Sequence, residues 1–157
     1  MIIAGFGGQG VLSMGKILAY SGIMEDKEVT WFPSYGPEMR GGTAYCSVVV
    51  ADHPVGSPIV TANATCLIVM NLPSLDRFEQ SVVPGGLILL NRSLIDREAG
   101  REDVLVHSLE ATTLAAKCGE PKAANMVMLG AYMALRGTPR QRQVEEAFTL
   151  GFGSGSS

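Results

Sequence analysis

The strongest constraint on the fold lies at the start of the chain. An apolar run, Met1-Ile2-Ile3-Ala4, passes directly into Gly5-Phe6-Gly7-Gly8-Gln9-Gly10. A helical apolar period then continues through Val11, Leu12, Met14, Ile17, Leu18 and Tyr20, and stops at Gly22. A strand that turns through glycines into a helix is the opening unit of a layered α/β domain. Gly5, Gly7 and Gly10 fit G-x-G-x-x-G in the context that motif demands, where the glycines permit a tight turn and close approach of an anion to the helix N-terminus. A nicotinamide-dinucleotide site would add an acid at the end of the next strand. That strand, Glu28-Val29-Thr30-Trp31-Phe32, runs instead into Pro33 and Ser34, while Glu25, Asp26 and Glu28 fall before it or at its start. NAD is therefore disfavoured. Two readings of the turn stay open: a close-packed strand–helix junction, or a surface for an anion or a partner.

The rest of the chain repeats the alternation. Buried strands are expected at Ala44–Ala51, Thr65–Met70, Leu87–Asn91 and Val104–His107, and Val55–Val60 reads as a short edge piece. Asn71 caps a helix with Pro73 in its first turn and Leu75, Phe78 and Val82 on one face, which Pro84-Gly85-Gly86 breaks. Arg92 to Asp103 is a charge-rich excursion. A helix from Glu110 to Cys118 ends at Gly119, an apolar helix follows over Ala123 to Arg136, and Thr138-Pro139 starts a last one carrying Val144, Ala147, Phe148 and Leu150. The apolar helix, with Met126, Met128 and Met133, is expected to pack on both sides, in the core or against a neighbouring subunit. The pattern predicts a single Rossmann-like three-layer α/β domain over 1–150 with a mostly parallel sheet, and a flexible Gly/Ser tail over 151–157.

One stretch fits neither period. Pro33-Ser34-Tyr35-Gly36-Pro37-Glu38-Met39-Arg40-Gly41-Gly42-Thr43 is dense in turn residues and holds an aromatic, an acid and a base that no core pattern requires. Following a strand as the glycine turn does, it should emerge at the same edge of the sheet, so that the two form one surface. Arg40 either faces a carboxylate or phosphate of a partner or pairs with Glu38 to hold the turn.

Composition narrows the function classes. Of 157 residues, 46% are hydrophobic and 17% charged, with a net charge of −3 and no basic stripe, which argues against nucleic acid and for apolar surface covered by a partner. No apolar run approaches the roughly 18 residues of a membrane span, and the start lacks a basic region ahead of its apolar run, so a cytoplasmic chain is expected. Cys46, Cys66 and Cys118 are too scattered for a disulfide framework or a metal site and read as buried, reduced thiols. His53 and His107 have no neighbouring ligand type, so no metal is assigned.

Together these residues resemble a known family. Gly5-Phe6-Gly7-Gly8-Gln9-Gly10-Val11, then Ser34-Tyr35-Gly36-Pro37-Glu38-Met39-Arg40-Gly41-Gly42-Thr43-Ala44, then Ser57-Pro58, and last Asn125-Met126-Val127-Met128-Leu129-Gly130-Ala131 are similar to the gamma subunit of 2-oxoacid:ferredoxin oxidoreductases. The form of the second stretch resembles the 2-oxoglutarate type more than the pyruvate type. The resemblance implies oxidative decarboxylation of a 2-oxoacid with coenzyme A to acyl-CoA, carbon dioxide and reduced ferredoxin. It implies alpha, beta and ferredoxin-like delta subunits carrying thiamine diphosphate with magnesium and [4Fe-4S] clusters, and ferredoxin as electron acceptor.

In agreement, this chain lacks a Gly-Asp-Gly motif followed by Asn, and three scattered cysteines cannot ligate a cubane cluster. No cofactor is assigned to it alone, and the isolated chain is expected to be inactive. Isolated, it could pair with a second copy as a homodimer. The candidate contact surface for coenzyme A or a partner subunit comprises Gly5, Gly7, Gly8, Gln9, Gly10, Ser34, Tyr35, Gly36, Pro37, Glu38, Arg40, Gly41 and Gly42. The competing class is a free-standing nucleotide-binding oxidoreductase domain.

Overall fold

The fold is that of a computed structural model, which describes residues 1–6, 9–34, 43–54, 56, 62–137 and 141–152. The elements are β1 (Ile2–Phe6), α1 (Val11–Met24), β2 (Glu28–Ser34), β3 (Thr43–Ala51), β4 (Ala64–Val69), α2 (Leu72–Phe78), β5 (Val82–Asn91), β6 (Leu105–Leu109), α3 (Ala111–Lys117), α4 (Ala124–Arg136) and α5 (Gln141–Phe152). The six strands form one sheet in the order β2-β3-β1-β4-β5-β6. β1, β4, β5 and β6 are mutually parallel, as expected for strands joined through helices. β3 runs against both β1 and β2. The connection from β2 to β3 is too short for a crossover helix, so the chain must turn straight back as a hairpin.

Strand alternation divides the core into two layers. Ile3, Cys46, Cys66, Ile68, Leu87 and Leu89 point to one face and pack with Val11, Met14, Ile17, Met128, Leu129 and Ala147 from α1, α4 and α5. Ile2, Ala4, Leu67, Val69, Ile88 and Leu90 point to the other and pack with Leu75, Phe78 and Ile95. The three-layer α/β arrangement is thus the one the alternating pattern predicts. The second layer is finished by a polar clip. Arg97 reaches Asp76 (2.6 Å) and Glu79 (3.1 Å), and Arg101 donates to the carbonyls of Glu79 and Val82 (both 2.9 Å), fastening the charge-rich excursion to α2 and the 3-10 turn Glu79–Ser81.

Several boundaries differ from expectation. Val82 belongs to β5, and Pro84-Gly85-Gly86 lies inside that strand. The pairing of β4 with β5 slips between Ala64 and Cys66, and Gly85 takes φ +81°, so a residue without an N–H and two glycines fit where the ladder is already interrupted. His107 sits within β6, which extends to Leu109. Cys118 caps α3 and is exposed, because the helix ends before the residue can turn inward. α5 takes in Gly151 and Phe152. Apart from Gly56, the expected edge piece Val55–Val60 lies outside the described residues, as do Thr138, Pro139 and the tail from 153 onward. No described helix is long and apolar enough to cross a membrane.

The other two cysteines are buried in the first core layer, and burial pushes the Cys46 thiol up to about 12 and the Cys66 thiol to about 11. Two glycines of similar conformation bracket the helices on this face. Gly10 (φ 72°) precedes α1, and Gly137 (φ 70°) closes α4. A Cβ on Gly137 would meet nothing, whereas one on Gly10 would come within 2.8 Å of the Asn125 Cγ, and closer still to its amide nitrogen.

Two outcomes follow from this packing. Gly137→Ala should cost about 1 kcal/mol, the left-handed backbone penalty alone, and Gly10→Ala measurably more. In urea denaturation, Asn125→Ala should recover part of the excess in the double variant. Alkylation of the native protein at pH 8 should label Cys118 and spare Cys46 and Cys66, whose raised pKa values leave few thiolates; all three should react after unfolding, as intact-mass measurement would read.

Candidate functional site

The carboxyl edge of the sheet is where the two loops singled out in the sequence emerge. β1 and β4 are adjacent and parallel, yet the helix after β1 packs on one face and the helix after β4 on the other. Such a divergence leaves a crevice outside the strand ends, the place where open α/β sheets receive ligands and contacts.

The β1–α1 turn is held by its own hydrogen bonds. Gln9 accepts from the Phe6 N–H through Oε1 (2.6 Å) and donates its own N–H to the Phe6 carbonyl (3.2 Å). Gly5 lies against β4: a Cβ there would meet the Gln9 Oε1 at 2.7 Å and the Met70 Cβ at 2.8 Å. No side chain caps α1 at Gly10. Of the predicted turn residues, the structure places Gly5, Gln9 and Gly10, and Gly7 and Gly8 lie outside the described residues.

β2 and β3 bring the second loop to the same edge. Thr43 pairs with Phe6, and Ser34 with Tyr45, so the connection leaves and re-enters the sheet beside the glycine turn. Ser34 is described at the end of β2, whereas Tyr35, Gly36, Pro37, Glu38, Arg40, Gly41 and Gly42 lie outside the described residues.

Three further residues at this edge were not among the predicted site residues. Asn125, 9% exposed at the start of α4, donates from Nδ2 to the Gly10 carbonyl (3.2 Å) while its Oδ1 accepts the Met126 N–H (3.0 Å). It therefore links the turn after β1 to a helix far along the chain. Asn71 caps α2 by accepting from the Ser74 N–H (3.0 Å), as its sequence position suggests. Among the described residues, its Nδ2 and the Ser74 hydroxyl are buried without a hydrogen-bond partner. The signal for Asn125 was an amide inside an otherwise apolar helical pattern, which core packing does not require.

The described part of this edge offers backbone N–H groups, neutral amides and a hydroxyl. Among the described residues, no group of His, Cys, Asp and Glu could hold a metal ion. The buried thiols Cys46 and Cys66 stay protonated at neutral pH, as does Tyr132, pushed up to about 12 by burial. The described set can bind and orient an acceptor-rich group, but it contains no activated nucleophile with an adjacent base.

Comparison with known proteins agrees with this architecture. The family model described as pyruvate ferredoxin/flavodoxin oxidoreductase matches residues 1–156. The ketoisovalerate oxidoreductase subunit VorA of Methanothermobacter thermautotrophicus is 47% identical over 133 residues, which cover 85% of this chain but only 27% of that relative. The 2-oxoglutarate synthase subunit KorC of Methanocaldococcus jannaschii is 32% identical over 148 residues, covering 92% of this chain and 79% of KorC. The crystal structure of a keto/oxoacid ferredoxin oxidoreductase gamma subunit from Geobacter sulfurreducens superposes with a TM-score of 0.79 at 26% identity, over 95% of this chain and 83% of that one. A 2-oxoglutarate:ferredoxin oxidoreductase from Magnetococcus marinus, solved with 2-oxoglutarate, coenzyme A and succinyl-CoA, shares the fold with a TM-score of 0.85 at 22% identity, over 99% of this chain and 27% of that one. Family model, relatives and fold agree, and the chain belongs to the pyruvate ferredoxin/flavodoxin oxidoreductase family.

Proposed function

We propose that the chain is the gamma unit of a cytoplasmic 2-oxoacid:ferredoxin oxidoreductase, which oxidatively decarboxylates a 2-oxoacid with coenzyme A to acyl-CoA and carbon dioxide and passes the electrons to ferredoxin. The observation that carries the reading is the adjacency, at the carboxyl edge, of the strand ends from which the two loops leave, with Phe6 opposite Thr43 and Ser34 opposite Tyr45, in a chain of this family. Thiamine diphosphate and iron–sulfur clusters belong, in this reading, to companion alpha, beta and ferredoxin-like subunits. The described thiols are two buried in the core and one exposed at the end of α3, a set that does not fit the four ligands of a cubane cluster.

The edge fits an acceptor-rich group better. The occupant proposed for it is a coenzyme A phosphate or a partner's carboxylate, met by backbone N–H groups of the turn after β1. Arg40 and the amides of Gly7, Gly8 and Gly10 would face the same group, with Tyr35 and Glu38 fixing the loop. Two substrates compete. The form of the 34–43 loop supports 2-oxoglutarate, whereas the higher identity with VorA supports a branched-chain 2-oxoacid.

The test is to purify the chain with its native companions and follow coenzyme A-dependent reduction of a viologen dye across a panel of 2-oxoacids. Turnover of one 2-oxoacid by the complex, with none by the isolated chain, is expected; a complex that reduces no dye with any of them would overturn the reading. In the same assay, Arg40→Ala should raise the KM for coenzyme A or weaken assembly by roughly tenfold or more, the scale for losing a charge-assisted contact. Unchanged assembly and unchanged coenzyme A dependence would reduce Arg40 to a partner of Glu38.

A further inference from the structure

α2 packs on β1 and β4, and no described helix covers the β2–β3 end of the same sheet face. By the strand register, Phe32 and Ser34 of β2, Tyr45 of β3 and Phe6 of β1 point to this face near the carboxyl edge. Phe6 is 37% exposed and Phe32 42%. At the border with α2, the Arg77 guanidinium lies 4.8 Å from the centre of the Tyr45 ring and 5.1 Å from that of Phe78, and the two rings are themselves 4.9 Å apart.

The other described arginines all have polar partners: Arg92 on Glu98, Arg97 on Asp76 and Glu79, Arg101 on Asp103, Arg142 on Glu146, and Arg136 on the Thr65 carbonyl. Among the described residues Arg77 meets only rings. Its cation lies within cation–π reach of both rings, and no described side chain neutralises its charge. A fixed, exposed Arg beside Tyr and Phe is the composition that dominates protein–protein contacts.

We propose that this face is a subunit-docking surface, on which a catalytic companion subunit seats an apolar segment over Phe6 and Phe32 and presents an Asp or Glu carboxylate to Arg77. The inference rests on the gamma-unit reading and adds the surface and the chemistry of the group that meets it. The cation–π contacts restrain the guanidinium before the partner arrives, so less side-chain entropy remains to be lost when the carboxylate binds. The surface also adjoins the edge where the two loops emerge, since Phe6 ends β1 at the glycine turn.

The experiment measures the affinity of this chain for its companion subunits in the reconstituted complex, at low and high salt. Arg77→Glu should weaken assembly by at least about thirtyfold, the scale of an interface hot spot. Arg77→Lys should give a smaller loss, keeping charge without the planar stack, and Lys117→Glu on α3 should leave affinity unchanged. Thermal unfolding of each isolated variant should match the parent, which separates docking from folding. Salt should weaken the parent more than Arg77→Ala, because only the parent holds the ion pair. Assembly indifferent to Arg77→Glu would overturn the surface while leaving the gamma-unit reading intact. Concentration-dependent self-association of the isolated chain, abolished by Arg77→Glu, would overturn it in favour of a second copy as occupant. A parent chain that assembles with no 2-oxoacid oxidoreductase subunit would overturn the reading itself.

Discussion

β1 is the strand on which everything else is aligned. Ile2, Ile3 and Ala4 are at most 1% exposed, because both faces of the strand are covered and both of its edges are paired. Its antiparallel bonds to β3 hold the hairpin, and its parallel bonds to β4 hold the remaining half of the sheet. Burying the two isoleucines contributes on the order of 2 kcal/mol each relative to exposure, and the alanine methyl less. The larger effect is registration. With a period of two along the strand, a slip of one residue against either neighbour would exchange Ile3 for its neighbours between the two core layers. The placement of both edge loops follows from that register, since Phe6 opposite Thr43 fixes where the second loop returns.

Most of the α/β frame was legible because its signals are local. The switch from apolar run to glycines to helical period identifies β1 and α1, Asn71 ahead of Pro73 marks the start of α2, and Gly137 marks the end of α4. What escaped depends on partners distant in sequence. Pro84-Gly85-Gly86 looks like a break in any single-segment reading, and only the slipped pairing with β4 makes room for it inside a strand. The antiparallel course of β3 is implicit in the short link from β2, but alternating buried strands point only to a mostly parallel sheet and do not single out which strand runs against the rest. Cys118 reads as a buried thiol at the end of an expected helix, and it is the position past the last turn of α3 that leaves it to solvent.

The candidate site was legible to the same depth. The glycine turn and the irregular loop can be recognised as an edge surface from residue types alone, and the register brings their ends together. Asn125 could not be assigned to that surface from the sequence, because its contact with Gly10 spans 115 positions and an amide in an apolar helix does not say which distant group it meets. Arg77 is hidden for a similar reason. On a helix it reads as an ordinary solvated charge, and its meaning comes from the Tyr45 ring that β3 sets beneath it.

The link between Asn125 and Gly10 has a kinetic consequence. A contact between positions so far apart closes a very long loop, and such contacts come late because the chain entropy lost in closing them must be offset by structure already formed. While the chain is being synthesised, β1, α1 and the hairpin can assemble before α4 has left the ribosome, but the turn after β1 then has its Gly10 carbonyl without the Asn125 amide. That part of the edge is therefore completed only when α4 docks, after the strands and helix on which the turn is built.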